Sequence, residues 1–219
     1  MHLAGSRGGT GVLTPEAENH MMEVLLNFDK LAEDIGKLPK GSFDLACPNS
    51  GGLVEESENH TWMILSCVLL SHKYKVASGD NSEKTKEVIQ DIEERLLSFI
   101  DYTKQAGFHE FNARPYVAYT ITPLLNLEAF GSEDVSKGAR DLLDYMNYCY
   151  ALSSLEFKRF PPFCRLLSKA DETPFDLCHH TAFWKASAET GEPESFSKGG
   201  GIKHAVTAVS LPYRPSPVV

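Results

Sequence analysis

Two short segments carry the side chains best suited to chemistry. One is Glu58-Asn59-His60, just before the apolar run Trp62-Met63-Ile64-Leu65; the other is Arg114-Pro115-Tyr116-Val117-Ala118-Tyr119, preceded by His109, Glu110 and Asn112. Both fall at expected helix starts, where first-turn backbone N–H groups have no intrahelical partner and attract anions. An asparagine, a histidine, an arginine and a tyrosine at the mouths of neighbouring helices suit β-elimination on a uronic acid sugar. That reaction removes a weakly acidic C5 proton, so the C6 carboxylate must be neutralised and the enolate-like charge stabilised. A base takes the proton and an acid protonates the departing glycosidic oxygen. Asn59 and Arg114 suit the first task, His60 and Tyr116 the other two. Glu58, Trp62, His109, Glu110, Asn112, Tyr119 and Arg165 are the candidate substrate contacts.

Each segment alone also has an ordinary structural reading. Glu58 and Asn59 are residues that cap and solvate a helix start, with His60 at the surface. Tyr116 and Tyr119, three apart, share a helix face and can be core rings with hydroxyls at the rim. It is the two segments together that sharpen the chemical reading.

The elements that must position these residues follow from apolar spacing. Met21, Met22, Leu25, Leu26, Phe28 and Leu31 predict a first helix from Pro15 to about Asp34. Gly and Pro residues punctuate 35–57 as a loop. A second helix is expected from Ser57, as N-cap, to about Tyr74, and a third from about Asn81 to Ala106, ended by Gly107. Pro115 fits the first position of a fourth helix reaching about Phe130, with Pro123 inside it predicting a kink. A fifth helix is expected from Val135 to about Leu155, irregular chain over 156–175, and a sixth helix from about Phe175 to Thr190. With almost no strand signal the fold class is all-α. Helical hairpins at this rhythm fit a bundle, a solenoid or a toroid.

Asn59-His60 resembles the Asn-His pair of the (α/α)-toroid polysaccharide lyases, the alginate, chondroitin and heparinase-type enzymes. Tyr116 followed by Tyr119, Pro123 and Leu124 resembles their tyrosine-bearing helix. Phe108-His109-Glu110-Phe111-Asn112 and Leu124-Leu125-Asn126-Leu127 are similar to the toroid portion of heparinase-like proteins. The similarity covers roughly residues 55–165. It implies helical hairpins forming an incomplete (α/α) toroid without a substantial sheet, and a lyase-like protein cleaving a uronic-acid-containing glycan. By position, Asn59 would neutralise the carboxylate, His60 or Tyr116 would be the base, Tyr116 the acid, and Arg114 the family's arginine. The domain reading is a flexible tail over 1–14, a toroid-like helical domain over 15–198 and a tail over 199–219 that would begin a missing β domain. Since six or seven helices fall short of a toroid, the chain reads as a partial toroid, a fragment or a reduced relative.

Composition limits the alternatives. The chain has 219 residues, 42% of them hydrophobic and 23% charged, which suits a globular core. A net charge of −9 argues against a general nucleic-acid partner. No apolar run approaches the roughly 18 residues of a membrane span, and the N-terminus lacks the apolar stretch of a signal peptide. The resemblance implies a periplasmic or secreted setting. Five cysteines without CxxC spacing favour no disulfide framework or metal site, and Cys67 and Cys149 read as packed thiols. Cys178-His179-His180 lacks a second ligand pair, so no metal and no cofactor are expected. The expected ligand is an acidic polysaccharide or oligosaccharide. Incomplete closure of the helical array further predicts a homo-oligomer or a partner subunit. The competing readings are a non-catalytic helical module binding carbohydrate or protein, and a hydrolase using Glu58 and Glu110 as acid and base.

Overall fold

A computed structural model of the chain describes residues 13–38, 57–111, 113, 116–155, 158–159, 207 and 210–215. These residues are mostly helical, and the fold they form is all-α. Six helices, α1 (Pro15–Leu25), α2 (Asp29–Gly36), α3 (Glu58–Ala77), α4 (Glu83–Ala106), α5 (Val117–Phe130) and α6 (Glu133–Leu152), precede a two-residue hairpin of β1 (Ser154–Leu155) and β2 (Lys158–Arg159).

The single first helix expected from the spacing is in fact two. The Thr14 hydroxyl caps α1 by accepting from the Ala17 N–H at 3.3 Å, with Pro15 at the first position. At Leu26–Phe28 the helix gives way to a tight turn, in which the Phe28 N–H donates to the Leu26 carbonyl at 2.9 Å. The break has a packing cause. No residue of α1 is buried, whereas Ala32 and Ile35 of α2 are, with Phe28, Leu31 and Leu38 packed beside them. The turn re-aims the apolar stripe so that, among the described residues, only its second half reaches full burial.

The other helices lie close to their expected places. Trp62, Leu65, Val68 and Leu69 of α3 are buried, as a helix with neighbours on several sides requires. It runs past Tyr74 to Ala77 and is followed by Gly79 at φ +106°, a backbone state that favours glycine. At the start of α4 the Asp80 carboxylate accepts from the Thr85 hydroxyl at 2.7 Å and the Ser82 N–H at 2.9 Å. These bonds pull the Asp80 pKa down to about 2. Helix α5 begins at Val117 and carries Pro123 inside it; Pro115 lies outside the described residues. Helix α6 ends at Leu152, so β1 takes the last residues of the expected fifth helix, and β2 lies in chain read as irregular. The helix expected over 175–190 lies outside the described residues.

Helix α3 packs on α4 and α5, and α6 packs on α5 and α4, so the α3–α4 hairpin lies against the α5–α6 hairpin. Helix α2 rests on α3 and α4. The core between the hairpins is built from Leu65, Leu69, Leu96, Ile100, Leu124, Leu127, Leu142 and their neighbours. Gly138 allows a close approach of α6 to α4, because a Cβ there would meet Ile100 Cδ1 and Cγ2 at 2.9 Å.

Candidate functional site

Glu58 is the first residue of α3, and its carboxylate reaches across to the turn that leads into α5. The Glu110 backbone N–H donates to Glu58 Oε2 at 2.9 Å. From Glu110 the chain continues in turns: the Ala113 N–H donates to the Glu110 carbonyl and the Val117 N–H to the Ala113 carbonyl, both at 3.0 Å. The two motif segments are therefore joined at one end of the bundle, where α3 and α5 pack together. Gly107, at φ +76°, ends α4 and turns the chain into residues 108–111. Tyr102 pairs with His109 Nε2 at 3.0 Å, the two rings standing edge to face, and Phe108 stacks on Tyr145 of α6.

Burial pushes the Glu58 carboxyl above its ordinary pKa. The Glu110 N–H and the charge of His109 oppose that rise, and the Glu110 carboxylate adds to it. Two acidic side chains and an imidazole thus share one end of the molecule. Such a group can exchange protons or hold sugar hydroxyls.

The remaining expected site residues divide sharply by burial. Asn59 is only 2% exposed, and its side-chain oxygen accepts a hydrogen bond from the Ser57 hydroxyl, so Ser57 holds Asn59 instead of capping α3 with its own side chain. His60 is exposed. Trp62 is fully buried with its ring 4.3 Å from that of Phe99, which places it in the core away from any surface ligand. Among the described residues its indole N–H has no hydrogen-bond partner. Tyr116 is half-buried and Tyr119 exposed, their rings 6.3 Å apart. Asn112, Arg114 and Arg165 lie outside the described residues, as do Cys178, His179 and His180. Cys67, expected as a packed thiol, is exposed, and Cys149 is intermediate.

The exposed rings of Tyr102 and Phe111, which flank His109 and Glu110, are not among the contacts expected from the sequence. The signal was present in the Gly107 helix stop, which folds residues 108–111 back beside the last turn of α4. A second polar place lies between α2, α3 and the start of α4, a cleft of about 210 Å³ lined by Asp29, His72, Lys75, Ser82 and Lys84 among others. Its charged groups already have partners. Asp29 accepts from Lys75 at 2.5 Å and faces buried His72 Nε2 at 3.2 Å, while Lys84 pairs with Glu33 at 2.6 Å. The bond from Lys75 is the main cause that lowers the Asp29 pKa. Among the described residues no group of three His, Cys, Asp or Glu side chains is arranged to hold a metal ion. None of the described helices is long and apolar enough to cross a membrane. Comparison of the chain with protein-family models, with curated proteins and with solved structures finds no match.

Proposed function

We propose that the protein is polysaccharide-lyase-like, binding a uronic-acid-containing glycan at the end of the bundle where Glu58 meets Glu110 and cleaving it by β-elimination. The reading rests on one observation, the Glu110 N–H to Glu58 bond at 2.9 Å, which joins the two segments whose residue types fit that reaction. In this reading the exposed rings of Tyr102, Phe111 and Tyr119 supply stacking area for sugar faces. His60, exposed at the first turn of α3, and Tyr116 share the proton transfers. Glu58, with Oε2 held by the Glu110 N–H, stands at this end as a contact for sugar hydroxyls. The two packed hairpins are then part of an incomplete (α/α) toroid, which a second copy or another subunit completes.

A second reading is favoured by the burial of Asn59, whose oxygen is already engaged by Ser57. A side chain this deeply buried does not present its amide N–H groups, the donors a uronate carboxylate needs, to a ligand at the surface. The same end of the bundle then serves as a non-catalytic carbohydrate- or protein-binding surface.

One experiment separates the two. The full chain is incubated with alginate, heparin-type and chondroitin-type glycans, binding is followed by calorimetry, and the unsaturated product by its ultraviolet absorbance. Elimination gives rising absorbance, and Tyr116→Phe then lowers turnover by about 10²–10⁴-fold with an unchanged melting temperature. Binding without product supports the second reading. Neither binding nor product with any uronate glycan removes the glycan from both.

A further inference from the structure

The C-terminal stretch 210–215 sends one side chain deep into α6. Tyr213 is fully buried, with its hydroxyl donating to Asp144 Oδ1 at 2.6 Å and accepting from Asn147 Nδ2 at 2.9 Å. The Arg140 guanidinium lies 5.3 Å from the centre of the tyrosine ring, within cation–π range. Arg140, Asp144 and Asn147 stand at i, i+4 and i+7, one stripe of the helix. Leu211 is buried in the same apolar cluster as Tyr213 and Leu143 of α6, and Arg214 donates back to the carbonyls of Leu211 and Tyr213 at 2.9 and 2.7 Å. With Pro212 fixing the backbone between the two anchors, the segment is held in one shape by its own bonds. More than fifty residues separate β1 from Ser210, so these contacts are long-range, made by side chains and not imposed by a short connection.

We propose that the Arg140–Asp144–Asn147 stripe of α6 is a peptide-recognition slot for a segment of Leu-Pro-Tyr-Arg type, filled by the chain's own residues 211–214 and open to exchange with a peptide of the same chemistry supplied in trans. The apolar seat takes the leucine and the ring, the arginine covers the ring, and the carboxylate and amide read the hydroxyl. A phenylalanine in place of the tyrosine takes the phenol donor away from Asp144 and the acceptor away from Asn147, and specificity for tyrosine follows. The tethered segment competes at an effective concentration in the millimolar range or below, which an external ligand must overcome.

The test uses the full chain with Tyr213→Ala, which vacates the slot, and a fluorescent peptide of the sequence Ser-Leu-Pro-Tyr-Arg-Pro. Anisotropy is expected to show binding at least about tenfold tighter than to the wild type, whose own segment competes. A peptide with Phe for Tyr binds about tenfold or more weaker, and Tyr213→Ala combined with Asp144→Ala loses binding. No binding by a Tyr213→Ala chain that still melts cooperatively, or equal binding of the Tyr and Phe peptides, overturns the proposal. Should Tyr213→Ala fail to fold, hydrogen exchange on the wild type replaces it. Saturating peptide must speed exchange at residues 210–214, and unchanged protection there sinks the idea.

Discussion

At the scale of single residues, Glu58 is the most informative side chain. Burial raises its pKa, so the folded chain holds its proton more tightly than the unfolded chain does. The sign follows from linkage: the stability tied to this group is complete below the ordinary carboxylate range and is lost as pH rises through the elevated folded value. Glu58→Gln keeps an oxygen to accept from the Glu110 N–H but carries no charge. It is expected to raise the melting temperature at pH 7, and the gain should vanish near about pH 4, where the wild-type carboxyl is also neutral. A melting series across that range checks it, and a lower melting temperature for the variant at pH 7 contradicts the assignment. The residue types at this end of the bundle were legible in the sequence because helix starts advertise themselves. What was not legible was which of three consecutive residues faces inward. The burial of Asn59 and Trp62 depends on where α4 and α5 pack around α3, and residue type at one turn of one helix does not encode that.

At the scale of elements, apolar periodicity located α3 to α6 within a few residues, since each buries a long stripe. It misplaced the first helix because the methionine-rich half of the pattern, Met21 and Met22, is only half-buried among the described residues, and a period alone does not say how far a face is used. Two-residue strands such as β1 and β2 have no period to detect. The α4–α6 contact gives a quantitative expectation. Replacing Gly138 by alanine adds about 1 kcal/mol of helix propensity. It also forces a methyl group against the Ile100 side chain, two of whose carbons are 2.9 Å from the new Cβ. Overpacking of this kind costs about 1–3 kcal/mol, and the stiff β-branched Ile100 has little room to yield. Gly138→Ala should therefore be destabilising by about 1 kcal/mol in denaturant unfolding. In combination with Ile100→Ala, its cost should shrink or reverse. A stabilised single variant would falsify the close approach.

At the scale of the whole molecule, the apolar groups left outside matter as much as the core. Tyr148 and Leu152 lie on one side of α6, and Leu155 follows in β1; the two leucines are 71% and 66% exposed. Neighbouring exposed apolar side chains are candidates for an interface, and the self-association proposed above gives them a test. The double variant Leu152→Glu, Leu155→Lys is expected to shift sedimentation at micromolar concentration toward a monomer. A wild type that is already monomeric across that range removes the stripe as an interface. Tyr213 shows the limit of sequence reading at this scale. A proline-rich end looks like a tail, because the partners that bury it lie 66 and 69 positions away. That separation has a consequence for how the protein is made. Translation runs at about 5–20 residues per second, and about sixty residues follow the last turn of α6 before Tyr213 is added. For roughly 3–12 s of every synthesis, therefore, the tyrosine that closes the seat on α6 does not yet exist. During that interval the nascent helices carry an open apolar seat that a neighbouring nascent chain or a chaperone can occupy.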